Sequence, residues 1–166
     1  MFQVGEYIVH PGQGVCRVDA VVEGEPSAYQ LLPVGQRHPM RISFPVASES
    51  RLRPVLSRDE AEQIIAEYPS MELDHYEGTS STLEEAHFKH ELRQGSCLDS
   101  VRIAKTFRAR IDKVRASNKK PPVVYERILK QATQRSLSEL AVALGSTPDD
   151  VLELFRSGER SEDSQN

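Results

Sequence analysis

Tryptophan is absent from this 166-residue chain, and Phe and Tyr supply only five residues each. A protein built to stack unpaired bases needs ring faces on its surface, so this shortage speaks against single-strand stacking as a main mode of binding. Tyr7, Tyr29 and Phe44 fall in strand-like runs, where core packing accounts for them. Cysteine is nearly missing as well. Cys16 and Cys97 stand far apart without a metal-ligand spacing, which gives little support to a disulfide framework or a zinc site. Both are expected as free thiols in a reducing compartment. No apolar run reaches the roughly 18–20 residues of a membrane span, and the N-terminus lacks the layout of a secretory signal, so a cytoplasmic location is expected.

Catalytic motifs are also lacking. There is no Gly-rich phosphate loop, nucleophile elbow, Cys/His nucleophile pair or HExxH run, and the Gly12-Gln13-Gly14 stretch is too short to cradle a phosphate. Five histidines are present, His10, His38, His75, His87 and His90. Only His87 and His90 share a helix spacing, without a third ligand, and exposed polar histidines are the expected state. The chain reads as non-enzymatic, with no cofactor and no metal, because no nucleophile, base and charge stabiliser come together.

An excess of positive charge is missing from the whole but not from every part. The formal net charge is -4. Residues 1–56 carry five Lys/Arg against five Asp/Glu, and residues 57–95 carry three against ten. Residues 96–135 then carry eleven against three, and residues 136–166 two against seven. A single strongly basic segment is therefore set among acidic ones.

The N-terminal third is written in short β-type runs cut by turns. Val4–Val9 precedes the turn His10-Pro11-Gly12-Gln13-Gly14, and Val15–Val22 precedes Gly24-Glu25-Pro26-Ser27. Tyr29–Leu32, Arg41–Val46 and Leu52–Leu56 complete about five strands. So many strands in under sixty residues predict a small closed or half-closed sheet, an SH3- or Tudor-like β-barrel, because closure removes aggregation-prone edges.

After Leu56 the periodicity becomes helical. Ser57 with Glu60 forms a capping box opening a helix from Arg58 to about Tyr68, and Pro69 ends it. A polar loop follows from Met71 to Ser81, then Thr82 with Glu85 is a second capping-box candidate for a helix to Gln94, closed by Gly95. Leu98 to about Asn118 is the longest periodic segment. Further helices are expected from Pro121-Pro122 to Thr133, from Ser136 to Leu144, and from Asp149 to Phe155, with a frayed tail beyond Gly158. The fold class is α+β: residues 1–56 form the barrel, residues 57–158 an all-α bundle, and residues 159–166 a polar tail.

The long segment has two faces at 100° per residue. Ile103, Ala104, Phe107, Ile111 and Val114 make an apolar stripe, while Arg102, Lys105, Arg110, Lys113 and Lys120 lie opposite or at its border. Such a face can contact phosphates along roughly 30 Å of helix. It can equally be a solvated face, or pair with the acidic segment before it. The run from Ser136 to Val151 has a helix-turn-helix outline, but Asp149 and Asp150 stand where its second helix would meet DNA, so two packed bundle helices are the better reading.

Phe2-Gln3-Val4-Gly5-Glu6-Tyr7-Ile8-Val9-His10-Pro11-Gly12-Gln13-Gly14-Val15 resembles the opening of the CarD family of bacterial transcription regulators. Val18–Val21, Tyr29-Gln30-Leu31, Ser43-Phe44-Pro45-Val46 and Leu52-Arg53-Pro54-Val55 continue the resemblance, which extends to the polymerase-interacting domain of the transcription-repair coupling factor. The helical part is similar to the family less closely, through Phe88-Lys89, Leu98-Asp99, Tyr125–Leu129 and Glu139-Leu140-Ala141.

The resemblance implies a monomer whose barrel docks on the RNA polymerase β subunit and whose helical part touches promoter DNA, largely independent of sequence, to adjust open-complex stability. By position it makes Arg41, Ile42, Ser43, Phe44 and Pro45 the polymerase-facing strand. It adds Lys89 and Arg127 to Lys105 and Arg110 as DNA contacts, with Arg102 and Lys113 from the same basic face. The alternative is a polymerase-bound adaptor whose basic helix takes an acidic protein partner. Two departures stand out: Glu84 occupies the place where some relatives carry a tryptophan wedge, and Gly24 and Ser43 stand where some carry arginines. A carboxylate cannot unstack a base step.

Overall fold

The computed structural model describes residues 1–164. Five antiparallel strands come first: β1 (Tyr7–His10), β2 (Gly14–Val22), β3 (Ala28–Pro33), β4 (Ile42–Pro45) and β5 (Arg53–Pro54). They lie in the order β4-β3-β2-β1-β5. The alternation read from the sequence sets the buried face, where Ile8, Cys16, Val18, Tyr29, Leu31, Phe44 and Leu52 form one cluster. The buried Tyr29 hydroxyl is satisfied on both sides, accepting from the Phe2 N–H at 3.0 Å and donating to Glu49 Oε2 at 2.6 Å.

The expected barrel closure by hydrogen bonding is not formed. Among the described residues β4 and β5 are not paired with each other, so the sheet keeps two ends. A short 3-10 turn, Val46–Arg51, carries the chain away from β4, and β5 is only two residues long and pairs with β1 alone. A register shift between Val18 and Ala20 marks a bulge beside Asp19, whose carboxylate meets Arg17 at 3.3 Å and Arg41 at 2.8 Å.

Five α-helices follow: α1 (Arg58–Glu67), α2 (Ser81–Gln94), α3 (Cys97–Ala116), α4 (Val123–Leu144) and α5 (Pro148–Asp163). The Ser57–Glu60 capping box is present as expected. A second box, Ser96 with Asp99, opens α3. The box expected at Thr82 does not form; Ser80 caps α2 by accepting from the Leu83 N–H, and Glu85 turns instead to Lys89 and Arg127.

α3 and α4 pack antiparallel as the spine of the helical part. At one end Cys97 and Val101 meet Leu140 and Ala141 together with α1 and α5; at the other Ala104 and Phe107 meet Val124, Ile128 and Ala132 together with α2. Phe88 and Phe107 are fully buried there, edge to face at 4.8 Å, each contributing roughly 1.5–3 kcal/mol of transfer free energy. Of the predicted apolar stripe only Val114 stays half exposed.

Where two helices were expected between Pro121 and Leu144, one continuous helix runs. Ser136 does not cap a new start; its hydroxyl donates back to Ala132 O at 2.7 Å, which satisfies it inside the helix. Gly145 ends α4 with φ 62°, a left-handed conformation that costs a residue with a Cβ, and Thr147 caps α5 by accepting from the Asp150 N–H. α5 continues to Asp163 rather than fraying after Gly158, with an ion pair between Arg160 and Glu153 on its surface. Gln165 and Asn166, the last residues of the expected tail, lie outside the described residues.

A buried ion pair joins the sheet to the helices. Glu139 of α4, 2 % exposed, accepts both ends of the Arg53 guanidinium fork at 2.7 Å and the Leu56 N–H at 3.1 Å. Arg135, one turn earlier on α4, donates to His10 O at 3.2 Å. The β1–β2 turn and the start of α1 are thereby held to one helix.

Candidate polymerase and nucleic-acid interfaces

β4 is bonded on one side only. It pairs with β3 through Leu31–Ile42, Gln30–Ser43, Tyr29–Phe44 and Ala28–Pro45, and no described strand lies on its other side. The Val46 N–H donates to Ser27 O at 3.0 Å, so the alternation of an antiparallel ladder turns the N–H groups of Phe44 and Ile42 towards β3 and that of Ser43 outwards. Pro45, which has no N–H, occupies the next outward position, where a ladder loses nothing.

This divides the five residues expected to face the polymerase. Arg41, Ser43 and Pro45 are exposed. Phe44 is buried and packs edge to face on His10 at 5.4 Å, and Ile42 is packed against the same core. Their side chains belong to the interior, so the strand's outward offer is a backbone edge with Arg41 beside it. His10 is itself a turn cap, its Nδ1 accepting from the N–H groups of Gly12 and Gln13 at 3.0 and 3.1 Å. Burial, then Arg51 and Arg135, lower its pKa and keep it in the accepting form.

The six cations expected on the DNA face separate more sharply. Lys105 points into the fold, where its ammonium donates to the carbonyls of Tyr68, Pro69 and Met71 at 2.6, 3.1 and 2.8 Å. These groups belong to a 3-10 turn (Tyr68–Ser70) after α1 and to the residue after it. Burial lowers the pKa of Lys105, offset by Glu159 and Glu162. Arg110 is likewise engaged: 17 % exposed, it donates to Tyr76 O at 2.5 Å, stands 3.7 Å from Glu84 and covers the Phe107 ring at 4.9 Å. Both cations are thus engaged with backbone carbonyls of the 68–76 segment.

Glu84, at the position of the relatives' wedge, is buried and accepts from the Gly78 N–H at 3.2 Å. It ties the 71–80 loop to α2 and α3 rather than presenting anything to solvent. Lys89 and Arg127 share Glu85, at 3.2 and 3.1 Å, and keep exposed surface. Arg102 stands 3.7 Å from Asp99.

Lys113 is exposed and in no ion pair among the described residues. Lys119 and Lys120, in the connection from α3 to α4, share that state, and Arg115 beside them has only an exposed contact with Glu126 at 3.4 Å. Three exposed lysines, unpaired among the described residues, thus gather where α3 ends and α4 begins. Sequence reasoning named Lys113 and placed Lys120 on the basic face, but passed over Lys119. The signal was present: residues 113–121 contain no acid.

Among the described residues no group of three His, Cys, Asp or Glu side chains could hold a metal ion, and no helix is long and apolar enough to cross a membrane.

The described residues thus join an edge-open five-stranded antiparallel sheet to a helical part in which one basic segment, residues 96–135, stands between acidic ones. Residues 2–56 match the family model of the CarD-like/TRCF RID domain, and this segment belongs to that domain family. Domains of that family are Tudor-like, non-catalytic interaction domains for the RNA polymerase β subunit. The match ends where α1 is about to start. Comparison with curated proteins gives no match.

Proposed function

We propose that the chain is a CarD-type bacterial transcription regulator, cytoplasmic and nucleoid-associated. In this reading residues 1–56 dock on the RNA polymerase β subunit and residues 57–158 contact promoter DNA to modulate open-complex stability. The observation that carries the docking half is an unpaired edge strand, β4, inside a segment that matches a polymerase-interacting domain. An edge of this kind recruits a partner by adding a strand, with main-chain hydrogen bonds giving affinity and flanking side chains such as Arg41 giving register.

The DNA half rests on the cluster of Lys113, Lys119 and Lys120, with Arg115 and Arg127 nearby. Lys105 and Arg110 leave this surface and serve instead to hold the 68–80 segment against α3. Without an apolar wedge the contacts are to phosphates, so binding is sequence-tolerant and falls steeply with salt.

Ser43→Pro in the full chain tests the docking half. It removes an outward N–H while leaving the β3 ladder intact, as proline is tolerated on an edge. Folding, followed by circular dichroism, is expected to persist while affinity for isolated β drops about tenfold or more, the equivalent of one lost interfacial hydrogen bond in a desolvated setting. A folded variant that binds β as the parent does removes edge pairing as the mode of docking.

A further inference from the structure

Between the sheet and the helices lies a cleft of about 560 Å³. The β1–β2 turn forms one wall. Gly14 and Gly35, with φ of 74° and 81°, bring backbone close to α4, where a Cβ on either would sit 3.8 Å from Arg135 and 3.9 Å from Ser138. α2 and α4 form the other wall. A second cleft of about 310 Å³ opens on the far side of the turn, and Arg93 lines both.

The charge in this place is one-sided. Lys89, Arg93 and Arg135 line the larger cleft, with the amides of Gln13, Gln131 and Gln134, and neither cleft is lined by any Asp or Glu. That is notable in a chain with 25 acids and a net charge of -4. Arg93 makes no ion pair among the described residues, and Arg135 has only the His10 carbonyl. Burial lowers the pKa of Arg135, and the neighbouring Arg53 and Arg93 lower it further, while Glu139 acts in the opposite sense. Arg53 is neutralised by Glu139, which leaves Arg93 and Arg135 uncompensated in the larger cleft.

Arg93 in the last turn of α2 also suits that helix's negative end, which is its ordinary explanation. That does not account for Arg135 in mid-helix, nor for the absence of a counter-acid across the cleft. Guanidinium forks and amide groups lining one cleft without a carboxylate match a group bearing several phosphate oxygens. The volume lies within the range of small-ligand clefts, about 300–1,000 Å³. No aromatic ring lines it, so nothing is offered for a base to stack on, and recognition is of phosphate rather than of nucleobase.

We infer that the cleft between the sheet and helices α2 and α4 binds a compact anion carrying two or more phosphate groups, held chiefly by Arg93 and Arg135. None of Lys113, Lys119 and Lys120 lines this cleft, so the inference stands whether or not that cluster contacts promoter DNA. The phosphates can come from a free polyphosphate ligand or from consecutive phosphodiesters of a nucleic acid.

Inorganic tripolyphosphate, titrated calorimetrically into the full chain at about 50 mM salt, where screening is modest, is the probe. One saturable site is expected. Arg93→Gln should weaken it about tenfold, the loss of one charge-assisted hydrogen bond, whereas Arg156→Gln, an exposed cation on α5, should leave it within about twofold. Gln134→Lys adds a cation to the lining and should tighten binding, which keeps the test open if Arg93→Gln lowers stability. Forked duplex DNA distinguishes the sources: displacement of tripolyphosphate assigns the cleft to phosphodiesters, and simultaneous binding assigns it to a free ligand. No saturable site in the parent chain, or equal weakening by Arg93→Gln and Arg156→Gln, overturns the inference.

Discussion

The stretch of α3 from Arg102 to Arg110 and the stretch from Lys113 to Lys120 each carry four cations, yet their surroundings differ in kind. Lys105 and Arg110 are drawn into the fold by backbone carbonyls of segments more than thirty residues earlier, and Arg108 donates to the Tyr68 hydroxyl at 2.9 Å. Lys113, Lys119 and Lys120 find no such partner among the described residues and remain exposed. A basic helix is therefore two things at once. As far as Arg110 it is a scaffold that clamps a loop poor in secondary structure, and the charge it has to give away starts at Lys113 and continues into the connection to α4.

The most damaging way to probe the scaffold side lies at the joint with the sheet. Arg53→Met removes both fork hydrogen bonds to Glu139 and leaves a carboxylate only 2 % exposed with the Leu56 N–H as its one partner. A buried charge stripped of its counter-ion costs about 3–5 kcal/mol. Urea denaturation should show that loss. A change below about 1 kcal/mol means that Glu139 reaches water once Arg53 is gone, and that the joint is looser than its geometry.

Lys105→Met comes next. The thioether chain replaces the methylenes but leaves the Pro69 and Met71 carbonyls without the ammonium donor, while Tyr68 O keeps the Met71 N–H at 3.1 Å. A cost of about 2 kcal/mol is expected, towards the low end for two unsatisfied groups because the half-exposed Pro69–Met71 segment can relax towards water. DNA affinity measured on the folded fraction should be unchanged. If affinity falls while stability does not, the division drawn along α3 is misplaced.

How much of this was readable in the residues depends on the range over which each feature is decided. Turns, strands and caps are local: Gly12 to Gly14, the Ser57–Glu60 box and the Gly145 end are written within a few residues, and the structure follows them. Ser80 took the cap expected of Thr82 because Glu85 is claimed by Lys89 and by Arg127 from another helix, a partner no local pattern reveals. The continuity of α4 through Ser136 depended on a hydroxyl bonding back within its own helix, where a serine in that pattern equally signals a start.

The candidate surfaces show the same boundary. Periodicity identified the basic face of α3, but the fates of Lys105 and Arg110 were set by carbonyls of Tyr68, Pro69, Met71 and Tyr76, and backbone acceptors leave no trace in side-chain composition. Glu84 was legible as a departure from relatives and not as a loop anchor. Within β4, alternation implied that Phe44 and Ile42 face the core, although position alone had grouped them with their exposed neighbours.

The smallest effect on stability, and the most informative for function, is expected from reversing the free cations. Lys113, Lys119 and Lys120 are exposed, so their joint replacement by Glu should alter unfolding free energy by no more than about 0.5 kcal/mol. Nothing buried loses a partner. Affinity for β should also persist, because β4 lies on the sheet and carries none of these residues. Binding to promoter DNA in the presence of polymerase is where the change should appear, since three cations become three anions on one surface. Each phosphate contact contributes a slope of about -0.9 to the dependence of log affinity on log salt, so the slope should become shallower by about 3. That number separates a direct phosphate surface from a general change of net charge, which would weaken binding without removing a countable set of released ions. An unchanged slope, with binding to β intact, would pass the basic end of α3 to an acidic protein partner and leave the adaptor reading in place.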